Sequence, residues 1–140
     1  MKIHDIHKEQ EKVVVLLHPM LANAQMMQEL LANPMGNNYR YLIPDCSGHG
    51  EAASSDYESA VKEAAQLSSY MKNQNIHEVQ LAFGASMGAV VLMELLHGSD
   101  FSFHHLFFEG ASMYTNAGFL NFMMKCIVHN KTVTKCNLKV

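Results

Sequence analysis

VQLAFGASMGAVVLMELLHG, residues 79–98, decides how this chain is read. Val79–Phe83 is a short apolar run that meets Gly84-Ala85-Ser86-Met87-Gly88, and a helical pattern follows at once through Val90, Val91, Met93, Leu95 and Leu96. The order is strand, tight turn, helix, with a serine at the tip. So sharp a turn brings backbone against backbone, which bulky residues flanking the serine would prevent; Gly84 and Gly88 meet that need. The Ser86 hydroxyl then projects from the top of the sheet, and the Met87 N–H at the helix start points to the same space, placed to hold a developing oxyanion. The plainer alternative is a strand-to-helix loop whose serine only caps the helix.

A serine so flanked, between an apolar strand and an amphipathic helix, resembles the nucleophile elbow of the α/β-hydrolase family. Other stretches carry the same resemblance. KVVVLLHPML contains Val13–Leu17, apolar throughout, as expected of a central parallel strand buried on both faces. It is followed by His18-Pro19-Met20, where the family commonly has His-Gly and a second oxyanion donor. His18 matches and Pro19 departs from the pattern, so the resemblance implies the Met20 N–H as that donor. Without the elbow, the same residues read as an ordinary strand-to-helix loop. PDCSGHGEA, residues 44–52, is similar to the family's loop after its fourth strand. Asp45 and His49 are read as loop-shaping residues, because they come too early for the family's triad order.

With 140 residues, half of them apolar, the chain supports one domain with a real core. A net charge of −3 and the lack of a Lys/Arg stripe argue against nucleic acid as a partner. No apolar run reaches the length of a membrane span. The start, MKIHDIHKEQEK, lacks the apolar core of a signal peptide. Cys46, Cys126 and Cys136 show no paired or metal-ligand spacing and read as free thiols in a reducing cytoplasm. Eleven methionines and no tryptophan suggest adaptable packing. Nine histidines are more than expected, but His4/His7 and His104/His105 have no carboxylate or cysteine company at ligand spacing, so no metal is expected, and no cofactor.

Taken in order, Lys2–Ile6 is a candidate edge strand. Val13–Leu17 is a strand that Pro19 ends. Asn23 caps a helix to Leu31 with Met26, Met27, Leu30 and Leu31 facing inward, broken by Asn33-Pro34. Tyr39–Ile43 is the next strand, closed by Pro44. Ser55 and Glu58 form a capping box opening a helix to Asn73, with Tyr57, Val61, Ala64, Ala65 and Met71 at helical spacing. Gly98 caps the elbow helix at its carboxyl end. Ser99, Asp100 and Ser102 read as loop, and His105–Phe108 as a further strand. The fold class is α/β, a mostly parallel sheet with helices on both faces. The resemblance implies that the Val13 strand lies between the Tyr39 and elbow strands, with His105–Phe108 beyond the elbow. His18–Met20, Ser86 and Glu109 then all fall at strand carboxyl ends, where such sheets bind ligands.

Ser86 needs a base, and the base needs an orienting carboxylate. Glu109 follows what would be the family's sixth strand, a position from which some members supply the acid; otherwise it is a carboxylate anchoring a loop at the pocket wall. The family's histidine comes after an eighth strand. Here Tyr114–Val128, rich in Phe and Met, looks like the first helix of a lid. His129 follows that helix and not a core strand, so it is not assigned as base. The resemblance therefore covers residues 13 to about 125, and the core is expected to stop after the sixth family strand: residues 1–112 as a partial hydrolase core, 113–140 as lid and polar tail.

Two readings follow. One is a cytoplasmic serine hydrolase of small ester-like or other acyl substrates, with Ser86 as nucleophile, Met20 and Met87 as oxyanion donors and the histidine from elsewhere. The other is an incomplete hydrolase fold serving as a binding or interaction module. A nucleotide binder has little support, since no Gly-rich phosphate loop is present. An uncovered edge at His105–Phe108 predicts a homodimer or larger assembly.

Overall fold

The computed structural model describes residues 1–98 and 101–110. Five strands form one sheet: β1 (Lys2–Ile6), β2 (Val13–Leu17), β3 (Arg40–Asp45), β4 (Glu78–Ala85) and β5 (Ser102–Glu109). Their order across the sheet is β1-β3-β2-β4-β5. β1 runs antiparallel to β3, and every other pairing is parallel. The Val13 strand thus lies between the Tyr39 and elbow strands, with the His105 strand outside the elbow, as expected.

Strand alternation divides the core into two layers. Val13, Val15 and Leu17 of β2 point to the face covered by α3 (Ala60–Asn73) and α4 (Met87–His97), where they meet Leu67, Met71, Val91 and Leu92. Val14 and Leu16 point to the other face, against Ala24, Met27 and Ala32. All five β2 residues are buried, which is why the strand reads as one apolar run without alternation.

The helix on that second face is longer than its sequence suggests. Asn23 caps it, its Oδ1 accepting the Met26 N–H at 2.9 Å. It begins as α1 (Ala24–Met27), widens to a π-helical stretch, Gln28–Ala32, and closes as α2 (Asn33–Met35) before Gly36. Pro34 does not break it. Proline has no N–H to offer the carbonyl four residues back, and the ladder widens just ahead of it. Leu30 and Met26, expected inside, are exposed, while Ala24 and Ala32 are buried instead.

Other boundaries also move. Pro44 lies within β3, opposite Ile3, beyond the last β2 pair at Leu42, where the strand has one neighbour left. The Ser55–Glu58 capping box does not form. Ser59 caps α3 in extended conformation, its Oγ accepting the Lys62 N–H at 3.2 Å, and Glu58 pairs with Lys62. Val61 and Ala65 face solvent as a result, and Leu67 takes the inward position. Ser102 opens β5 and is not loop. Gly98 follows α4 with φ −104°, so that position uses none of glycine's special freedom. The expected lid helix at Tyr114–Val128, the tail, His129, Ser99 and Asp100 lie outside the described residues. Among the described residues, no helix is long and apolar enough to cross a membrane.

Candidate active site

Ser86 is exposed at the junction of β4 and α4. Its backbone sits at φ 48° and ψ −110°. That is close to the first central position of a type II′ turn, which glycine normally fills. A serine held there stores on the order of 1–3 kcal/mol of strain. The surroundings over-determine it. The Ser86 N–H donates to the Glu109 carbonyl at 2.7 Å, and the Ser86 carbonyl accepts N–H groups from Ala89 at 3.1 Å and Val90 at 3.2 Å. Its hydroxyl caps nothing.

The flanking glycines are there for space. A Cβ on Gly84 would lie 2.7 Å from the Gly88 carbonyl oxygen. A Cβ on Gly88 would collide with the Leu17 carbonyl and lie 2.7 Å from that of His18. The helix start is therefore pressed against the end of β2, as the turn reading anticipates. Met87 is the first residue of α4, and its N–H is one of the orphan donors of a helix start. Among the described residues neither the Met87 N–H nor the Met20 N–H has a hydrogen-bond acceptor.

The loop after β2 is held by side chains. His18 is fully buried. Its Nδ1 is 2.8 Å from the Pro19 carbonyl oxygen, and its Nε2 accepts the Cys46 N–H at 3.1 Å. A carbonyl only accepts and an amide N–H only donates, so the ring is neutral with its proton on Nδ1. Burial above all holds its pKa below the ordinary 6.5, assisted by the nearby His49, and outweighs the Pro19 hydrogen bond and the Asp45 and Glu63 charges. The His49 ring lies 5.1 Å away, and its Nδ1 is 3.0 Å from the Ser47 carbonyl oxygen.

Asp45, at the end of β3, is the second fastening. Oδ1 accepts the Ala24 N–H at 2.7 Å; Oδ2 accepts the Glu51 N–H at 2.9 Å and lies 2.9 Å from His4 Nε2. One carboxylate ties the helix start after β2, the loop after β3 and the edge strand together. Burial pushes its pKa up, but the Ala24, Glu51 and His4 hydrogen bonds outweigh that and hold it below the usual carboxylate value. Asp45 and His49 are thus loop-shaping, as read from sequence. Missed were the depth of His18, the His4–Asp45 pair, and Glu63, a buried carboxylate accepting the Ser47 N–H at 3.0 Å. Their partners lie 16 to 41 residues away, and no local pattern announces them.

Glu109 ends β5 opposite Ala85, one residue before the serine. The backbone brings it beside the elbow, while its side chain is exposed and has no hydrogen-bond or ion-pair partner among the described residues. No histidine among the described residues hydrogen-bonds Ser86: His4 is on Asp45, His18 is engaged on both nitrogens, and His104 is 3.8 Å from Glu78. Among the described residues no group of three or more His, Cys, Asp or Glu is arranged to hold a metal ion, and Cys46 is a buried free thiol. A groove of about 460 Å³ between α3 and α4 is lined by Glu94, Leu95, His97 and Gly98 at the far end of α4 from Ser86, so it lies apart from the elbow.

A family model described as serine aminopeptidase, S33, matches residues 8–140. Solved structures share the fold. An α/β-hydrolase family protein from Desulfitobacterium hafniense aligns with TM-score 0.70 and 22% identity, covering 76% of this chain and 43% of its own. An esterase from Exiguobacterium antarcticum aligns with TM-score 0.64 and 23% identity over 79% of this chain and 41% of its own. An N-acyl homoserine lactonase complexed with N-butanoyl homoserine aligns with TM-score 0.60 and 18% identity, over 79% and 45%. The chain thus spans less than half the length of these relatives. No curated protein sequence matches it significantly.

Proposed function

Because the chain belongs to the serine aminopeptidase S33 family of α/β hydrolases, we propose that it carries the nucleophile and oxyanion half of a serine hydrolase acting on small ester-like or other acyl substrates. Ser86 Oγ attacks the acyl carbon and gives its proton to a histidine base. The carbonyl oxygen becomes an oxyanion between the Met20 and Met87 N–H groups. Collapse expels the leaving group, which takes the proton from the histidine, and water then releases the acyl group from Ser86 by the same steps. We assign Glu109 as the acid that orients the histidine, and the histidine itself to a position outside the described residues.

The observation that carries this reading is the exposed Ser86 at φ 48° between β4 and α4, followed directly in the chain by the Met87 N–H, which has no acceptor among the described residues. A serine that merely capped α4 would accept a helix N–H with its side chain, and Ser86 does not. The relatives in the esterase and lactonase structures act on acyl compounds by their own descriptions, and that supports the substrate class.

A fluorophosphonate probe tests it. Labelling of Ser86, lost in Ser86→Ala, with hydrolysis of a p-nitrophenyl acyl ester, is the expected result. Glu109→Gln is expected to lower turnover while leaving the melting temperature unchanged. An unlabelled Ser86 overturns the enzyme and leaves the second reading, a binding module. That reading draws support from the absence of any described histidine bonded to Ser86. Either way, the outer edge of β5 has no strand partner among the described residues, and we propose that a second copy pairs there. Sedimentation showing a monomer at all concentrations would exclude that pairing.

A further inference from the structure

The Pro19–Met20 peptide carries one of the two proposed oxyanion donors, and its orientation is set by a residue the reaction itself does not touch. The described chain contains no cis peptide bond. In a trans peptide the carbonyl and the N–H point to opposite sides of one rigid plane. Whatever holds the Pro19 carbonyl therefore also aims the Met20 N–H. Two donors hold it: His18 Nδ1 at 2.8 Å and the Ala22 N–H at 3.0 Å. The ring has little freedom to turn, because it is fully buried and its other nitrogen is occupied by the Cys46 N–H of the neighbouring strand's end.

We propose that His18 is a positioning residue for the oxyanion site: clamped as its Nδ1–H tautomer between the Pro19 carbonyl and the Cys46 N–H, it locks the Pro19–Met20 peptide so that the Met20 N–H faces away from the buried ring toward incoming substrate. The inference rests on the oxyanion role of Met20 proposed above. It adds that turning this peptide over would remove the donor, and that the imidazole proton on the Pro19 carbonyl holds the peptide against that turn. Pro19 contributes by fixing its own φ, which leaves the Pro19–Met20 plane with one main torsion to control. Met20 itself is 61% exposed, so nothing on its side chain's account restrains that plane.

The two ring nitrogens can be tested separately. His18→Asn places an amide NH2 near the Nδ1 position, able to donate to the Pro19 carbonyl but too short to reach Cys46. His18→Gln places an amide oxygen near the Nε2 position, able to accept the Cys46 N–H but with no donor for Pro19. The lock predicts that Ser86 phosphonylation falls on the order of tenfold to a hundredfold in His18→Gln and much less in His18→Asn, with the loss in kcat and not in KM. A role confined to pinning the strand end at Cys46 predicts the reverse order, and that result overturns the inference. So does a rate loss that follows melting temperature across the two variants. Two readouts need no turnover. Long-range 1H–15N spectra are expected to show the His18 proton on Nδ1, and a proton on Nε2 sinks the proposal even where Ser86 labels. The Pro19 carbonyl carbon shift is expected to move in His18→Gln and to stay in His18→Asn; equal shifts in both sink it as well. An unlabelled wild-type chain sinks the hydrolase reading and leaves these two spectra to decide the lock.

Discussion

The elbow at Ser86 and the loop at Pro19–Met20 each present a backbone N–H that has no acceptor among the described residues, yet they are held by different means. The elbow is fixed by its own backbone. Its glycines remove side chains where α4 meets β2, and its serine is bonded through N–H and carbonyl to residues in the sheet and the helix. The loop is fixed by side chains from other elements. His18 reaches the end of β3, and Asp45 reaches back from there to the helix start at Ala24. One region stores strain in a covalent path; the other spends buried polar groups on hydrogen bonds. The first depends on shape and is insensitive to pH. The second depends on the protonation of two buried groups.

The sharpest way to break the elbow is Gly88→Ala. Its new methyl group would meet the Leu17 and His18 carbonyl oxygens, neither of which is the end of a flexible side chain. Backbone of a central strand and a helix must separate, and the expected loss is about 3 kcal/mol or more. Urea denaturation measures it, and a loss well under 1 kcal/mol would mean that the close approach at this junction is not real.

The corresponding cut in the loop is Asp45→Asn, with about 2 kcal/mol expected. Asparagine keeps one acceptor for the Ala24 N–H but turns an NH2 toward the Glu51 N–H and His4. The sign with pH follows from the lowered pKa of Asp45. Its contribution is fully present above the ordinary carboxylate value of 3.8 and is lost as pH falls through its lower folded value. The gap between wild type and variant should therefore be constant near neutrality and close only under strong acid, while the cost of Gly88→Ala stays flat. A gap that stays open under strong acid would mean that the Asp45 charge is not what holds this loop.

How much of this was legible follows the same division. The elbow turn and the parallel strands were readable because their causes are local: residue types a few positions apart, and apolar runs bounded by turn residues; the order of the strands was implied by the family resemblance. The cap of α3 was misplaced because Ser55 and Ser59 both offer a hydroxyl, and only the assembled backbone selects Ser59. The burial of Glu63 and His18 was not legible, since polar side chains are usually exposed, and only their long-range backbone partners make burial tolerable. Glu109 was readable as a strand-end residue beside the elbow; the acid role proposed for it was not, because such a role is recognised by the histidine the carboxylate touches.

Ser86→Gly reverses the usual sign of a substitution at a functional residue. Glycine populates φ 48° without steric cost, and the N–H bonded to Glu109 is kept. Relief of strain, less the greater freedom of glycine in the unfolded chain, leaves a gain of about 1 kcal/mol. Thermal melting of Ser86→Gly beside Ser86→Ala separates the two ideas in play. If the strain is real, the glycine variant melts above the alanine variant, although both lack the hydroxyl.

The smallest effect is expected at Leu21, next to the proposed donor and 95% exposed. A leucine so placed has almost no buried area to lose, so Leu21→Ser should change stability by less than about 0.5 kcal/mol. Its neighbour Met20 is also exposed, and together they put apolar surface beside an N–H that has no acceptor among the described residues. On the proposed reading that surface meets the acyl chain, and Leu21→Ser raises KM for longer acyl esters with kcat unchanged. The elbow offers no such separation, because every change there acts on the backbone that holds the nucleophile. A Leu21→Ser variant that loses kcat instead would mean that this loop, too, is held partly by its own residues, and the contrast with the elbow would narrow to His18 and Asp45 alone.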